Sequence, residues 1–278
     1  VGNFCCAAAK FGARTGLVTV VGDDEFGRLC VEDYRSFRMD DRGIKIKPDG
    51  ETYFCFVLLD SSGEKALTIV ETPLLIPATD DIDISYLVEA RYVHLSSLGF
   101  ELVRYVVDQL KTTDVRVSID LESTAAGAGL ADWESILEST YILFCNQAGL
   151  AALLKDSDEA ACVDRLLGLG VKVVVITKGS VGGTVATREE TFFYPAFPVN
   201  VRDSTGAGDC FNGVFISCLA KGLGLAESAC QAAAAAAISI QSVGARVGLP
   251  SSDQVKEFLR NYPEFVHLKQ ERHDVSGL

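Results

Sequence analysis

Histidine is scarce in this chain of 278 residues: His94, His267 and His273 are all it has, and they make poor candidates for catalysis. His94 falls in an apolar strand pattern and is expected in the core, while His267 and His273 belong to a polar tail. The nine cysteines, at positions 5, 6, 30, 55, 145, 162, 210, 218 and 230, form no CxxC pair. An odd, scattered set supports neither a disulfide framework nor a zinc site. Free buried thiols in a reducing cytoplasm are expected instead.

Basic charge is also in short supply. The 25 Lys+Arg against 38 Asp+Glu leave a formal net charge of −13, and no basic run exceeds Lys45-Ile46-Lys47. Nonspecific nucleic-acid binding needs clustered cations to displace counterions, so no nucleic-acid partner is expected. The longest apolar stretch, around residues 232–240, falls short of the ~20 residues of a membrane span and reads as a buried helix. No secretory leader is visible, although the chain opens on Val1 rather than Met. Phosphate-loop (GxxxxGK[ST]), nucleophile-elbow (GxSxG) and zinc-protease (HExxH) motifs are missing. Gly127-Ala128-Gly129 imitates a dinucleotide loop, but Asp132 stands where that fingerprint needs Gly or Ala.

What is present is an ordinary globular balance, 48% hydrophobic and 23% charged, with no repeat or low-complexity linker dividing the chain. From residue 92 onward, β-branched runs at 92–95, 115–120, 141–145 and 172–177 alternate with helical patterns at 101–111, 130–138 and 150–169. That rhythm specifies an α/β fold with a parallel sheet covered on both faces. Residues 44–70 break it. Runs at 52–59 and 65–70 flank the turn Asp60-Ser61-Ser62-Gly63 and predict a hairpin. It reads as a small projecting β subdomain, with an antiparallel extension of the main sheet as the alternative.

One segment concentrates chemistry: Asp203-Ser204-Thr205-Gly206-Ala207-Gly208-Asp209-Cys210-Phe211-Asn212-Gly213. The small residues 206–208 lead into a helix with apolar positions Phe211, Val214, Phe215 and Cys218. Glycine lets a ligand approach the backbone, and the first N–H groups of a helix lack internal partners. With the helix dipole they suit an anion. Asp209, at the start of this helix, either caps it or takes the proton from a hydroxyl attacking a phosphoryl group.

The sequence here resembles the ribokinase-like (PfkB) carbohydrate kinase family. Asp203 to Cys210 reproduce its second signature. Gly2-Asn3, Ala8, Gly12 and Gly16, followed by Val21-Gly22-Asp23-Asp24-Glu25-Phe26-Gly27, are similar to its first. Thr177-Lys178-Gly179-Ser180-Val181-Gly182 resembles its nucleotide loop, and Gly244-Ala245-Arg246-Val247-Gly248-Leu249-Pro250 its closing element. The resemblance spans residues 1–278 as a single domain. It implies a three-layer α/β/α sandwich with a mainly parallel central sheet, and a β lid that includes residues 44–70.

The resemblance further implies phosphoryl transfer from ATP, with Mg2+, to a hydroxyl of a sugar, sugar acid or nucleoside. Asp209 would be the general base and the N–H groups of Gly206, Ala207 and Gly208 the anion hole. Asn146, Thr177, Lys178, Gly179, Ser180, Gly182 and Gly208 would contact the nucleotide. Gly2, Asn3 and Asp209 would contact the acceptor. Asp203 and Thr205, with backbone from residues 243–248, match a monovalent-cation (K+) site of some members. The aromatic hairpin bearing Tyr53, Phe54 and Phe56 makes a homodimer through the lid an expectation, since an exposed sheet edge needs cover.

Three departures stand against the family pattern. Asn146-Gln147-Ala148-Gly149 puts Gly where the family has a Glu that helps organise Mg2+. Leu121-Glu122-Ser123-Thr124 lacks the Arg expected after Asp120, leaving Lys178 or Arg246 as substitutes. The strand and turn that precede the substrate Asn in the family are not in this sequence. A catalytically weak relative, acting as a sensor or partner subunit, is therefore the alternative to a kinase.

Overall fold

The computed structural model describes residues 1–59, 65–127, 129–265 and 270–271. The chain opens on helix α1 (Gly2–Lys10), then β1 (Thr19–Gly22), α2 (Glu25–Ser36) and β2 (Ile44–Lys47), with β1 and β2 pairing in parallel. Strands β3 (Phe54–Leu59) and β4 (Lys65–Val70) form their own two-stranded antiparallel sheet, Phe54 opposite Val70. That separation favours the projecting β subdomain over the extension of the main sheet. The expected turn at 60–63 lies outside the described residues, as do Ala128, His267 and His273.

The base of this subdomain explains the Gly22-Asp23-Asp24 run. Asp24 caps α2 through Gly27 N (2.7 Å) and also accepts from Thr52 N and Thr52 Oγ1, each at 2.7 Å. These bonds, those to Thr52 first, hold its carboxyl below the usual range. A Cβ at Gly22 would sit 2.1 Å from the Gly50 carbonyl oxygen, so the two backbones meet only because that position is glycine.

The second part of the chain follows the alternation read from the sequence. It runs α3 (Ile84–Leu87), β5 (Tyr92–Ser96), α4 (Phe100–Leu110), β6 (Arg116–Leu121), α5 (Ser123–Ala126), α6 (Leu130–Glu138), β7 (Ile142–Asn146), α7 (Gln147–Leu154), α8 (Glu159–Leu169) and β8 (Val173–Thr177). Strands β9 (Gly183–Ala186) and β10 (Thr191–Tyr194) precede α9 (Ala207–Ala220), α10 (Leu225–Ser239), α11 (Ser252–Leu259) and β11 (Gln270–Glu271). The seven-stranded sheet has the order β11-β10-β9-β8-β7-β6-β5. Strands β5 to β8 are mutually parallel, β9 and β11 run against them, and β10 runs with them.

Alternate side chains of the central strands enter two cores, as the pleat requires. Ile142, Phe144, Val173 and Val175 pack with α1, α9, α10 and α11; Leu143, Cys145, Val174 and Ile176 pack with α4, α6, α7 and α8. The result is the three-layer α/β/α sandwich. Residues 232–239 lie within α10, mostly buried against α9. No helix among the described residues is long and apolar enough to cross a membrane. All nine cysteines are free, with Cys30 half-buried and Cys55 exposed and the rest buried. His94 sits in β5 with Nδ1 3.0 Å from Ser118 Oγ and its ring 3.9 Å from that of Phe4. Burial pushes its pKa down to about 3, so it stays neutral in the core, as its pattern predicted.

A groove of about 1270 Å3 runs between the start of β1 and β5, lined by Leu17, Val18 and Thr19 on one side and by residues 92–96 on the other. Among the described residues, β1 pairs only with β2 and β5 only with β6, leaving each one edge free.

Candidate active site

Because β6, β7 and β8 are parallel, their C-terminal ends emerge together, and ligands of open α/β sheets bind at that edge. Asp120, Asn146 and Thr177 occupy those ends. The first turn of α9 lies over the same edge, anchored by Asn212, whose Nδ2 donates to Asp120 Oδ2 at 3.1 Å.

The loop leading into α9 is held from two sides. Asp203 accepts from Thr205 N (2.9 Å) and from Gly244 N (2.8 Å), which brings the 243–248 loop against it. Gly206 takes φ +77°, a left-handed conformation natural to glycine, and a Cβ there would lie 2.8 Å from the Ala245 Cβ. No side chain caps the first turn of α9. The Ala207 N–H donates to Ser204 O at 3.2 Å within the turn. A Cβ at Gly208 would point into open space, so the backbone stays accessible from that side.

Asp209 is the third residue of α9, and its carboxylate does not turn back to cap the helix. Oδ2 accepts from Asn3 Nδ2 at 3.3 Å, across a separation of 206 residues. That contact depends on α1 packing tightly on α9 at Gly213, where a Cβ would approach the Phe4 carbonyl to 2.6 Å. Of the two readings of Asp209, the capping one is not what the structure shows, since the carboxylate reaches Asn3 and no side chain caps α9. Gly2, beside Asn3, lies against Tyr34: a Cβ there would fall 2.5 Å from its hydroxyl.

The expected nucleotide residues divide. Asn146 caps α7, accepting from Gly149 N at 2.7 Å, and its side chain remains exposed at the strand end. Thr177 closes β8, and residues 178–182 make a tight turn in which Lys178 N donates to Gly182 O at 2.7 Å. Ser180 and Val181 are exposed at its tip, and Gly179 and Gly182 take positive φ. The Lys178 side chain turns inward: its ammonium bonds Glu159 (2.6 Å) and Thr184 Oγ1 (2.8 Å) and is largely buried. It is therefore not poised as the substitute cation.

Gly149 is not a simple deletion of a side chain. A Cβ there would meet the Leu121 carbonyl oxygen at 2.8 Å, so the β6 end has closed over that position. A glutamate would have to displace backbone.

Asp120, near the end of β6, joins this edge although the sequence reading did not single it out; an acidic residue at the end of a parallel strand is the signal that would have pointed to it. Burial, then the Asp209 charge, raises its pKa to about 7. The folded protein thus holds this proton far more tightly than the unfolded chain. Stability from this group is complete below about pH 4 and is lost as pH rises through about 7. Asp120→Asn is expected to gain stability over the wild type at about pH 8 and little at about pH 4. Thermal midpoints at the two values check this; an equal gain at both would refute a buried, titrating carboxyl.

Comparison with known proteins follows the same lines. The chain matches the pfkB family carbohydrate kinases over residues 1–252. It is 30% identical over 257 residues to an ATP-dependent ribose-1-phosphate kinase of Halopiger xanaduensis, covering 92% of this chain and 84% of the relative. With a 2-dehydro-3-deoxygluconokinase of Thermoproteus tenax it shares 28% identity over 277 residues, covering 93% and 83%. Among solved structures, a putative ribokinase II from E. coli gives a TM-score of 0.86 at 22% identity, over 94% of this chain and 88% of that one. The ribokinase of Thermotoga maritima gives 0.80 at 27% identity, over 93% and 86%. The fold is that of the ribokinase-like phosphotransferases, enzymes that place a phosphoryl group on an alcohol. Within that class, the chain belongs to the pfkB family of carbohydrate kinases.

Proposed function

We propose that this protein transfers the γ-phosphoryl group of ATP to a hydroxyl of a sugar or sugar derivative, with Asp209 as general base. The observation that carries the reading is the Asp209 carboxylate in the uncapped first turn of α9, held by Asn3 rather than by its own helix. In the reaction the acceptor O–H bond breaks and its proton passes to Asp209. The acceptor oxygen bonds the γ-phosphorus, and the electron pair of the breaking P–O bond leaves with ADP. The free N–H groups of the first turn, at Gly206 and Gly208, would meet the charge that develops on the transferred group, aided by the helix dipole, and the Ala207 N–H would join them only by leaving its bond to Ser204 O. Asn146, Thr177 and the 178–182 turn, at the ends of β7 and β8, would hold the nucleotide. Gly2 and Asn3 would hold the acceptor, with β3 and β4 closing over it to exclude water.

A Mg2+ ion serving the nucleotide would ask one or two carboxylates of the protein. When bound it would neutralise charge between the β- and γ-phosphates. Position 149 has no room for a glutamate, and the exposed Glu122 at the end of β6 would supply the carboxylate instead. Asp203 and Thr205, gathered against the 243–248 loop, are the place a K+ ion would occupy.

The relatives named a ribose-1-phosphate kinase and a 2-dehydro-3-deoxygluconokinase support a sugar or sugar derivative as the acceptor. A homodimer through the lid is supported by Phe56, Val57, Leu58 and Ile69, all exposed on the β3–β4 ribbon; a monomer mass in light scattering would refute it.

The test is ADP release from ATP and Mg2+ across ribose, fructose, ribose 1-phosphate, 2-dehydro-3-deoxygluconate and adenosine. Turnover with one acceptor fixes the substrate class. Silence across the panel, with nucleotide still bound, would favour the catalytically weak relative.

A further inference from the structure

Arg246 lies 243 residues from Asn3 in the chain and touches it in the fold. Its Nε donates to Asn3 Oδ1 at 2.8 Å, while Asn3 Nδ2 donates to Asp209 Oδ2 at 3.3 Å. The far side of the guanidinium is committed to α2. Nη1 pairs with Asp33, Nη2 lies 3.4 Å from the Tyr34 hydroxyl, and the group stacks over the Tyr34 ring at 4.8 Å. Each nitrogen thereby has a partner on α1 or α2, so the structure turns this cation toward Asn3 and α2 rather than holding it free as the substitute its sequence position had allowed.

We propose that Arg246 is a positioning residue of the acceptor side, fixing the Asn3 amide so that its NH2 faces Asp209. The argument is one of donors and acceptors. A guanidinium has five N–H donors and no acceptor, so the Asn3 group facing it must be the carbonyl. The amide is planar, so its NH2 then points the other way, at an ionised carboxylate that can only accept. Without Arg246, the amide is free to turn its oxygen toward Asp209, where two acceptors would meet. Asp33 and Tyr34 engage the far side of the guanidinium, tying α2 to the loop that also packs on Gly206. This inference rests on Asp209 being the base.

The experiment is a double-mutant cycle on the full chain, Arg246→Met, Asn3→Ala and the pair, assayed for ADP release with MgATP and the members of the acceptor panel. Arg246→Met is expected to lower kcat by about ten- to a hundredfold, the scale of misplacing a reacting group. ATP affinity, read by calorimetry with a non-hydrolysable analogue, should stay within about twofold, because the nucleotide residues lie at the ends of other strands. In the Asn3→Ala background the same change should cost kcat nothing further, since Arg246 would then have no amide to orient. Arg246→Lys, which keeps the charge and loses the planar fork, should behave like Arg246→Met, and guanidinium ion should restore part of the turnover of Arg246→Ala. Additive losses in the cycle, or full turnover in Arg246→Met, would overturn the proposal. Asp209→Asn run alongside separates the two failures. If it retains turnover the base assignment falls and this inference with it; if it is dead while Arg246→Met is active, only the positioning role falls.

Discussion

Asp209→Asn is expected to lose about a thousandfold in kcat, the middle of the range for general-base catalysis, with ATP affinity little changed. Asparagine matches the carboxylate in size and still meets the Asn3 amide, so the fold should survive. What disappears is the acceptor for the proton. Two smaller effects accompany it. The helix N-terminus loses a favourable negative charge worth about 0.3–1 kcal/mol. Asp120, whose pKa is raised in part by the Asp209 charge, should titrate lower. A rate assay with calorimetric nucleotide titration checks the main claim, and an Asn variant turning over at the wild-type rate would remove Asp209 from the chemistry.

Gly213→Val should be the most damaging of the core substitutions. The glycine lies where α9 crosses α1, and an added Cβ would stand 2.6 Å from the Phe4 carbonyl oxygen and 3.2 Å from the Ala7 Cβ. Neither neighbour is a flexible side-chain end, so the helices must separate, at an overpacking cost of about 1–3 kcal/mol or more. Separation also lengthens the Asn3–Asp209 contact, so turnover should fall with stability. Gly168→Ala is the contrast. It lies in α8 with nothing within 4 Å of its would-be Cβ, and should gain about 0.5–1 kcal/mol. Urea midpoints for the pair decide it: a Gly213→Val midpoint equal to wild type would refute the close crossing.

Much of the fold was legible in the sequence because its signals are local. The runs at 172–177 and 141–145 lack a polar face, and a strand buried on both faces in a parallel sheet needs none. The hairpin showed itself because two β-branched runs flank a turn with no helical pattern between them. Gly149 was legible as a departure but not in its meaning. From sequence it is a missing carboxylate, whereas the structure shows the β6 backbone filling the place. Lys178 was drawn toward the nucleotide by its neighbours in the loop, and the sequence offered no hint of its partner Glu159, 19 residues earlier on α8.

By itself the sequence determined the order of strands and helices, the glycine-rich entry to α9 and the carboxylate three residues into it. Backbone propensity and side-chain periodicity act over a few residues, and they fix such features wherever the chain goes. The tertiary structure alone decided what that carboxylate meets. Asn3 lies 206 residues from Asp209, Asp120 lies 92 from Asn212, and Arg246 lies 243 from Asn3. Those meetings depend on how closely α1 settles on α9, and on a loop beyond α10 folding back over α1 and α2. Contacts of that kind are set by packing volume and backbone clearance, which no local pattern encodes.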